Sequence, residues 1–234
     1  MKISLASASS RAGHRSGSAR GPLALGAEVR LVLPAHRPGE RPKGEALPAL
    51  AVLGRSNVGK STLLNALLGT KVARVSQTPG RTQALYWYRV GEKFDVVDCP
   101  GYGFAKTSKE KRDSFEGLIE SLLVGVPEGA GPEPAEGKGA GATAALLLVD
   151  SRLDPQQSDL SMALFLRESS VPCFVAATKW DAVKPSQRVR QLRTLAAAFE
   201  GPDRPLLPVS AETGENLPEL ARLLRAALSP ASKE

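Results

Sequence analysis

Between residues 50 and 228, short apolar runs alternate with stretches in which apolar positions recur at three- and four-residue spacing. That alternation is how a mostly parallel sheet with helices on both faces looks along a chain, so the expected fold class is α/β. Residues 49–53 read as a first strand, and residues 61–68 as a helix that Gly69 ends through its ease in the left-handed conformation. Residues 84–90 and 93–97 flank Gly91-Glu92, a two-residue hairpin connection, which predicts one antiparallel pair. Residues 144–149 and 173–177 are continuous apolar runs of buried-strand length, and 206–209 form a short last strand. Residues 29–33 are a candidate extra edge strand.

Asp154 followed by Pro155 predicts an N-cap and first-turn proline for a helix running to about Glu168. Val189, Leu192, Leu195 and Phe199 make one helical stripe, and Leu217, Leu220, Leu224 and Leu228 make another; both are expected to face the core. Arg188, Arg190 and Arg193 lie opposite the first stripe, on a solvated face or against a polyanion. Residues 125–143 are rich in Gly, Pro, Ala and Glu and bury too little apolar surface to offset ordering entropy, which predicts a mobile insertion. The expected organisation is a basic arm over 1–27, one domain over 28–228 and a short tail over 229–234.

Composition adds charge to this picture. A formal net charge of +7 with a pI near 9.6 favours an acidic partner, nucleic acid above all. Cys99 and Cys173 each sit in a strand-like run and are read as buried, reduced thiols. No apolar run reaches the roughly 18–20 residues that cross a bilayer, and residues 1–5 lack the apolar core of a secretory signal. A cytoplasmic protein without membrane contact is expected. The arm carries Lys2, Arg11, Arg15 and Arg20 with no acid before Glu28. It is either a disordered basic extension or an organellar transit peptide.

The chemistry gathers at strand ends. Gly54-Arg55-Ser56-Asn57-Val58-Gly59-Lys60-Ser61 follows a strand, precedes a helix and matches the phosphate-cradling GxxxxGK[ST] loop. Its backbone N–H groups can wrap the α- and β-phosphates, Lys60 supplies charge at the β- and γ-phosphates, and the Ser61 hydroxyl can ligate Mg2+. Asp98-Cys99-Pro100-Gly101 follows the second hairpin strand, where Asp98 can hold the metal through water and the Gly101 N–H can reach the γ-phosphate. Thr178-Lys179-Trp180-Asp181 ends another strand. A carboxylate fixed there accepts N1–H and N2–H of guanine, a donor pair adenine lacks, so Asp181 favours GTP over ATP. Lys179 would cover the purine plane, and the Ala211 N–H of Val209-Ser210-Ala211 would meet guanine O6.

The last element is the connection Thr78-Pro79-Gly80-Arg81-Thr82-Gln83 leading into Ala84. A threonine here can reach the metal only while the γ-phosphate is present, so the segment would order with GTP and loosen after hydrolysis. Thr82 is the expected second protein ligand, with Thr78 as the substitute and an idle loop threonine as the plainer alternative. The catalytic set is Lys60, Thr82 and Gly101.

GRSNVGKS, TPGRTQ, DCPGYGFAK, TKWD and VSAETGEN resemble the EngB family, within the TrmE-Era-EngA-EngB-septin-like P-loop GTPases, and the likeness spans about residues 47–228. The resemblance implies a Ras-like fold, a GTP/GDP switch in assembly of the large ribosomal subunit, and a requirement for normal cell division and septation in a monomeric protein. It also implies a K+ ion at Asn57, beside the plainer reading of Asn57 as a loop-stabilising residue. Trp180 departs from the small residue usual in its slot, and the 125–143 insertion and the long arm depart as well. Tyr102 stands where Ras-type enzymes carry the glutamine that orients water, which predicts slow hydrolysis aided by an ion or partner. A GTP-binding scaffold with negligible hydrolysis is the alternative. Tyr102, Phe104, Lys106, Lys109, Lys111 and Arg112 form a basic, aromatic stretch that is either an RNA contact or a solvated loop.

Overall fold

The computed structural model describes residues 20–72, 84–103, 109–125, 141–199, 201 and 205–229, side chains of 109–112 excepted. In chain order the elements are β1 (Val29–Ala35), β2 (Ala49–Gly54), α1 (Lys60–Leu68), β3 (Leu85–Val90), β4 (Phe94–Asp98), α2 (Lys109–Leu123), β5 (Ala144–Asp150), α3 (Gln157–Glu168), β6 (Cys173–Thr178), α4 (Pro185–Phe199), β7 (Leu206–Pro208) and α5 (Leu217–Leu228). The seven strands form one sheet in the order β1-β3-β4-β2-β5-β6-β7. Strand β3 alone runs against the others, pairing antiparallel with β1 and β4, while β2, β4, β5, β6 and β7 pair in parallel. The candidate edge strand is therefore real and extends to Ala35.

Strands buried on both faces explain the continuous apolar runs. In β2, Leu50 and Val52 face a core built with α1 and α5, while Ala49, Ala51 and Leu53 face a second core built with α2, α3 and α4. Strand β5 alternates likewise, Leu146 and Leu148 one way, Leu147 and Val149 the other. Leu217, Leu220, Leu224 and Leu228 are all buried, as their spacing predicts.

Four local expectations are corrected. The β3–β4 connection has three residues, because Val90 pairs with Phe94 and the left-handed Gly91 (φ 54°) gives its N–H to Glu28 O. Helix α3 begins at Gln157 with the extended Gln156 as N-cap, while Asp154 lends its carbonyl to the Gln156 side chain. In α4 only the second half of the stripe is buried, Leu195 and Phe199; Val189 is 64% exposed because Arg188 takes the inward position.

The fourth concerns the arm. Residues 20–27 form a turn rather than a free extension: Leu23 and Ala24 are buried in the α1/α5 core, and Gly21 and Leu23 donate to Leu68 O and Leu67 O at the end of α1. Arg225 of α5 holds the Pro22 carbonyl from the other side. The remainder of the arm, the 126–140 portion of the insertion and residues 230–234 lie outside the described residues. None of the described helices is long and apolar enough to cross a membrane.

Candidate functional site

The C-terminal ends of β2, β4, β5 and β6 share one edge of the sheet, where open α/β folds bind ligands. Gly54 closes β2, and the turn that follows uses two left-handed residues, Asn57 (φ 64°) and Gly59 (φ 99°), with Val58 tucked into the core. Gly59 precedes α1 and supplies no side-chain cap, so the first N–H groups of that helix face outward for an anion. Lys60 forms an ion pair with Asp98 across the sheet edge, both side chains largely buried. Ser61 sits beside it in the first turn of α1.

The loop after β4 is stitched to this cradle. Ser56 N–H donates to Tyr102 O at 3.2 Å, and Arg55 forms an isolated parallel bridge with Tyr102. At Gly101 a β-carbon would lie 2.6 Å from Ser56 Oγ and 3.0 Å from Ser56 N, so only glycine permits the approach. Cys99 and Pro100, which lead into Gly101, are buried. Burial pushes the Cys99 thiol up to about 12, which leaves it an inert part of the core. Ala84 is buried at the start of β3, but Gly80, Arg81, Thr82 and Gln83 lie outside the described residues.

On the other side of Gly59 lies a cavity of about 340 Å3, lined by Thr62, Thr178, Lys179, Asp181, Ala211 and Glu212 among others. Thr178 Oγ1 lies 2.7 Å from Val58 O and 3.1 Å from Val149 O, tying β6 to the phosphate loop. Lys179 adopts the left-handed conformation (φ 59°), and its ammonium donates to Asn57 O at 2.6 Å and to Asp150 Oδ2 at 2.9 Å. Burial alone would raise the Asp150 carboxyl, yet hydrogen bonds from Arg152 and Lys179 outweigh it and hold the group down at about 2. Trp180 is buried and gives its N–H to Val209 O, which joins β6's loop to the loop after β7. Asp181 is exposed to the cavity, and its Oδ1 accepts Ser210 Oγ–H at 2.6 Å.

The structure thus brings together the Gly54–Ser61 loop, Asp98 to Gly101, Thr178 to Asp181 and Val209 to Ala211. It adds residues the motifs do not name, Asp150, Thr62 and Arg188, and gives Glu212, within VSAETGEN, a place in the cavity lining. Asp150 was accessible to reasoning, since an acid at the end of a buried strand on the ligand edge matches Asp98. Tyr102 departs from the exposed basic stretch, its ring packed toward the α3 side, while side chains 104–112 lie outside the description.

Fold and cradle together define a P-loop GTPase-class domain. A family model described as "50S ribosome-binding GTPase" matches residues 49–179. The chain is 38% identical over 201 residues to the "Probable GTP-binding protein EngB" of Thermotoga maritima, covering 84% of this chain and 94% of the relative. It is 40% identical over 179 residues to that of Gemmatimonas aurantiaca, covering 76% and 81%. A crystal structure of a probable EngB superposes with TM-score 0.58 at 28% identity, covering 77% of this chain and 98% of the other. Era in complex with MgGDPNP and nucleotides 1506–1542 of 16S ribosomal RNA gives TM-score 0.58 at 25% identity, covering 82% and 60%. The chain belongs to the EngB family of GTP-binding proteins.

Proposed function

We propose that this protein binds GTP and GDP with Mg2+ at the edge formed by β2, β4, β6 and β7, hydrolyses GTP slowly, and uses the difference as a switch on the precursor of the large ribosomal subunit. One observation carries the reading: the Lys60–Asp98 pair and the Lys179–Asp181 cavity flank the same residue, Gly59, so phosphate and base recognition form one continuous site. In it the Gly54–Ser61 backbone wraps the phosphates, Lys60 turns from Asp98 to the β- and γ-phosphates, and Gly101 donates to the γ-phosphate. Asp181 accepts from guanine N1 and N2, Ala211 donates to O6, and Lys179 covers the ring.

The donor set suits the metal. Ser61, next to Lys60 in the first turn of α1, and Asp98, the partner of Lys60, carry the hard oxygens that Mg2+ prefers. Ser61 and Thr82 would hold Mg2+ directly and Asp98 through water. When bound, the ion neutralises charge on the phosphates.

Titration of fluorescent GDP, with ATP as competitor and with and without Mg2+, tests the site; equal competition by ATP ends the guanine assignment. Phosphate release in a single turnover, with and without isolated ribosomal subunits, tests the enzyme. Release in neither condition favours the scaffold reading. Nucleotide-dependent co-sedimentation with those subunits tests the partner.

The left-handed Asn57 backbone and its carbonyl contact with Lys179 give this residue a loop-shaping role. A K+ ion at its side chain is proposed beside that role, and equal turnover in potassium and sodium would end it. With residues 20–27 packed on α1, the G domain is proposed to run from about residue 20 to 228 rather than from 28, in a cytoplasmic monomer or, with the segment before it as transit peptide, in an organelle. The division and septation role is proposed as a consequence of ribosome assembly.

A further inference from the structure

Asp181 and Ala211 stand on different loops, yet both must meet one purine edge, so the spacing between the loops sets the recognition. Arg188, in the first turn of α4, lies outside both loops and touches each. Its guanidinium carbon is 5.2 Å from the centroid of the Trp180 ring. Nη2 donates to Trp180 O at 3.2 Å and Nε to Val183 O at 3.3 Å. Nη1 donates to Glu215 Oε1 at 3.4 Å, and the Glu215 carbonyl accepts Ser210 N–H at 3.1 Å. One planar cation thereby grips the residue between Lys179 and Asp181 and the residue that closes the turn after Val209.

On the cavity side the loops are already joined by Ser210 Oγ–H to Asp181 Oδ1. The Trp180 backbone N–H on Val209 O ties them at their roots; Arg188 adds a third tie on the far side, at Glu215, which limits how the two loops can turn about the other two. Trp180 is 4% exposed and its backbone N–H is held by Val209 O, so its buried ring offers the guanidinium a fixed face. Arginine suits the task because its rigid fork serves several acceptors while its plane stacks on the ring, which an ammonium cannot do.

We propose that Arg188, with Trp180 and Glu215, is a positioning residue for guanine specificity: it sets the distance between the Asp181 carboxylate and the Ala211 N–H. This rests on the guanine reading of the cavity. The Trp180 ring supplies the flat face on which the guanidinium stacks.

The test measures Kd for GDP and for inosine diphosphate, which lacks the 2-amino group, on the full chain, with thermal midpoints alongside. Arg188→Ala weakens GDP by roughly 10-fold, the scale of one well-placed hydrogen bond. Inosine diphosphate weakens by less, so the ratio between the two shrinks. Arg188→Lys behaves as Arg188→Ala does. Glu215→Ala, at a partly exposed side chain, repeats the trend and serves if the Arg188 variants do not fold. An unchanged ratio in folded variants, or an equal loss for both ligands, overturns the clamp. A wild-type chain that binds ADP as well as GDP overturns instead the guanine reading beneath it.

Discussion

Tyr102 donates its phenolic hydrogen to Asp159 Oδ1 at 2.9 Å, fastening the residue after Gly101 to the start of α3. Burial pushes both groups up, the tyrosine well above its ordinary value, and the Arg55 charge opposes the shift at each. The side chain at the usual glutamine position is thus committed to the core, and its backbone to the phosphate loop through Ser56 and Arg55.

The carboxylate at this contact carries a pH signature. Because the folded-state pKa of Asp159 lies above 3.8, its contribution to stability is full in acid and is lost as pH rises through the folded value. Tyr102, Arg55 and Asp150 are the charged or titratable groups acting on it. Asp159→Asn keeps an acceptor for the phenol and removes the buried charge, so urea unfolding should show it gaining on wild type as pH rises above about 4. Asp159→Ala strands the buried hydroxyl and should lose about 1–3 kcal/mol.

Asp150 behaves in the opposite sense. Its folded pKa is about 2, below the ordinary 3.8, so its stabilisation is complete above that ordinary value and disappears as pH falls through the window between the two. The contribution is about 1–2 kcal/mol once solvent screening of the half-exposed Arg152 is allowed for. Asp150→Asn should flatten the acid limb of a stability–pH curve and also weaken GDP binding, because Lys179 loses one of its two holds.

Removing Lys60 leaves the Asp98 carboxylate buried without its cation. Lys60→Ala should cost the nucleotide-free protein about 3 kcal/mol or more by chemical denaturation. The double variant with Asp98→Asn should be more stable than Lys60→Ala alone, while both fail to bind GDP tightly. An additive cycle would mean that the pair does not interact.

Exchanging the carboxylate proposed to read the base should reverse its preference. Asp181→Asn presents an amide N–H toward guanine N1–H and N2–H, and GDP affinity should fall at least ~100-fold. Xanthosine diphosphate, with a carbonyl at position 2, should bind the variant better than it binds wild type in the same competition assay.

Leu23 tests the N-terminal turn. It is 1% exposed and packs among α1 and α5 residues, so Leu23→Ala should lose about 2–5 kcal/mol. A change within 0.5 kcal/mol would show that residues 20–27 hold nothing together.

Much of this was legible in the chain because each signal was local and redundant. The β2 run, the Gly54–Ser61 loop and the α1 periodicity point to one strand–loop–helix unit, and Asp98, Thr178 and Val209 each follow an apolar run. What escaped was set by tertiary contacts. Residues 20–27 show no period, and only the α1 carbonyls and Arg225 reveal that they are packed. Helical spacing put Val189 inside; the ring of Trp180 drew Arg188 inward instead. Arg188 looked like one solvated arginine among three, since periodicity tells which side of a helix a residue takes and not which loop waits there. Thr82 and its neighbours lie outside the described residues.

The turn pinned beneath α1 also limits how the front of the chain can be trimmed. A protease that cuts before Arg20 sheds only sequence that precedes the buried anchor, whereas one that cuts after Leu23 removes a piece of the interior and uncovers the last carbonyls of α1. Any maturation event, affinity tag or shortened expression clone that is to keep this anchor must therefore leave the chain intact from Gly21 onward.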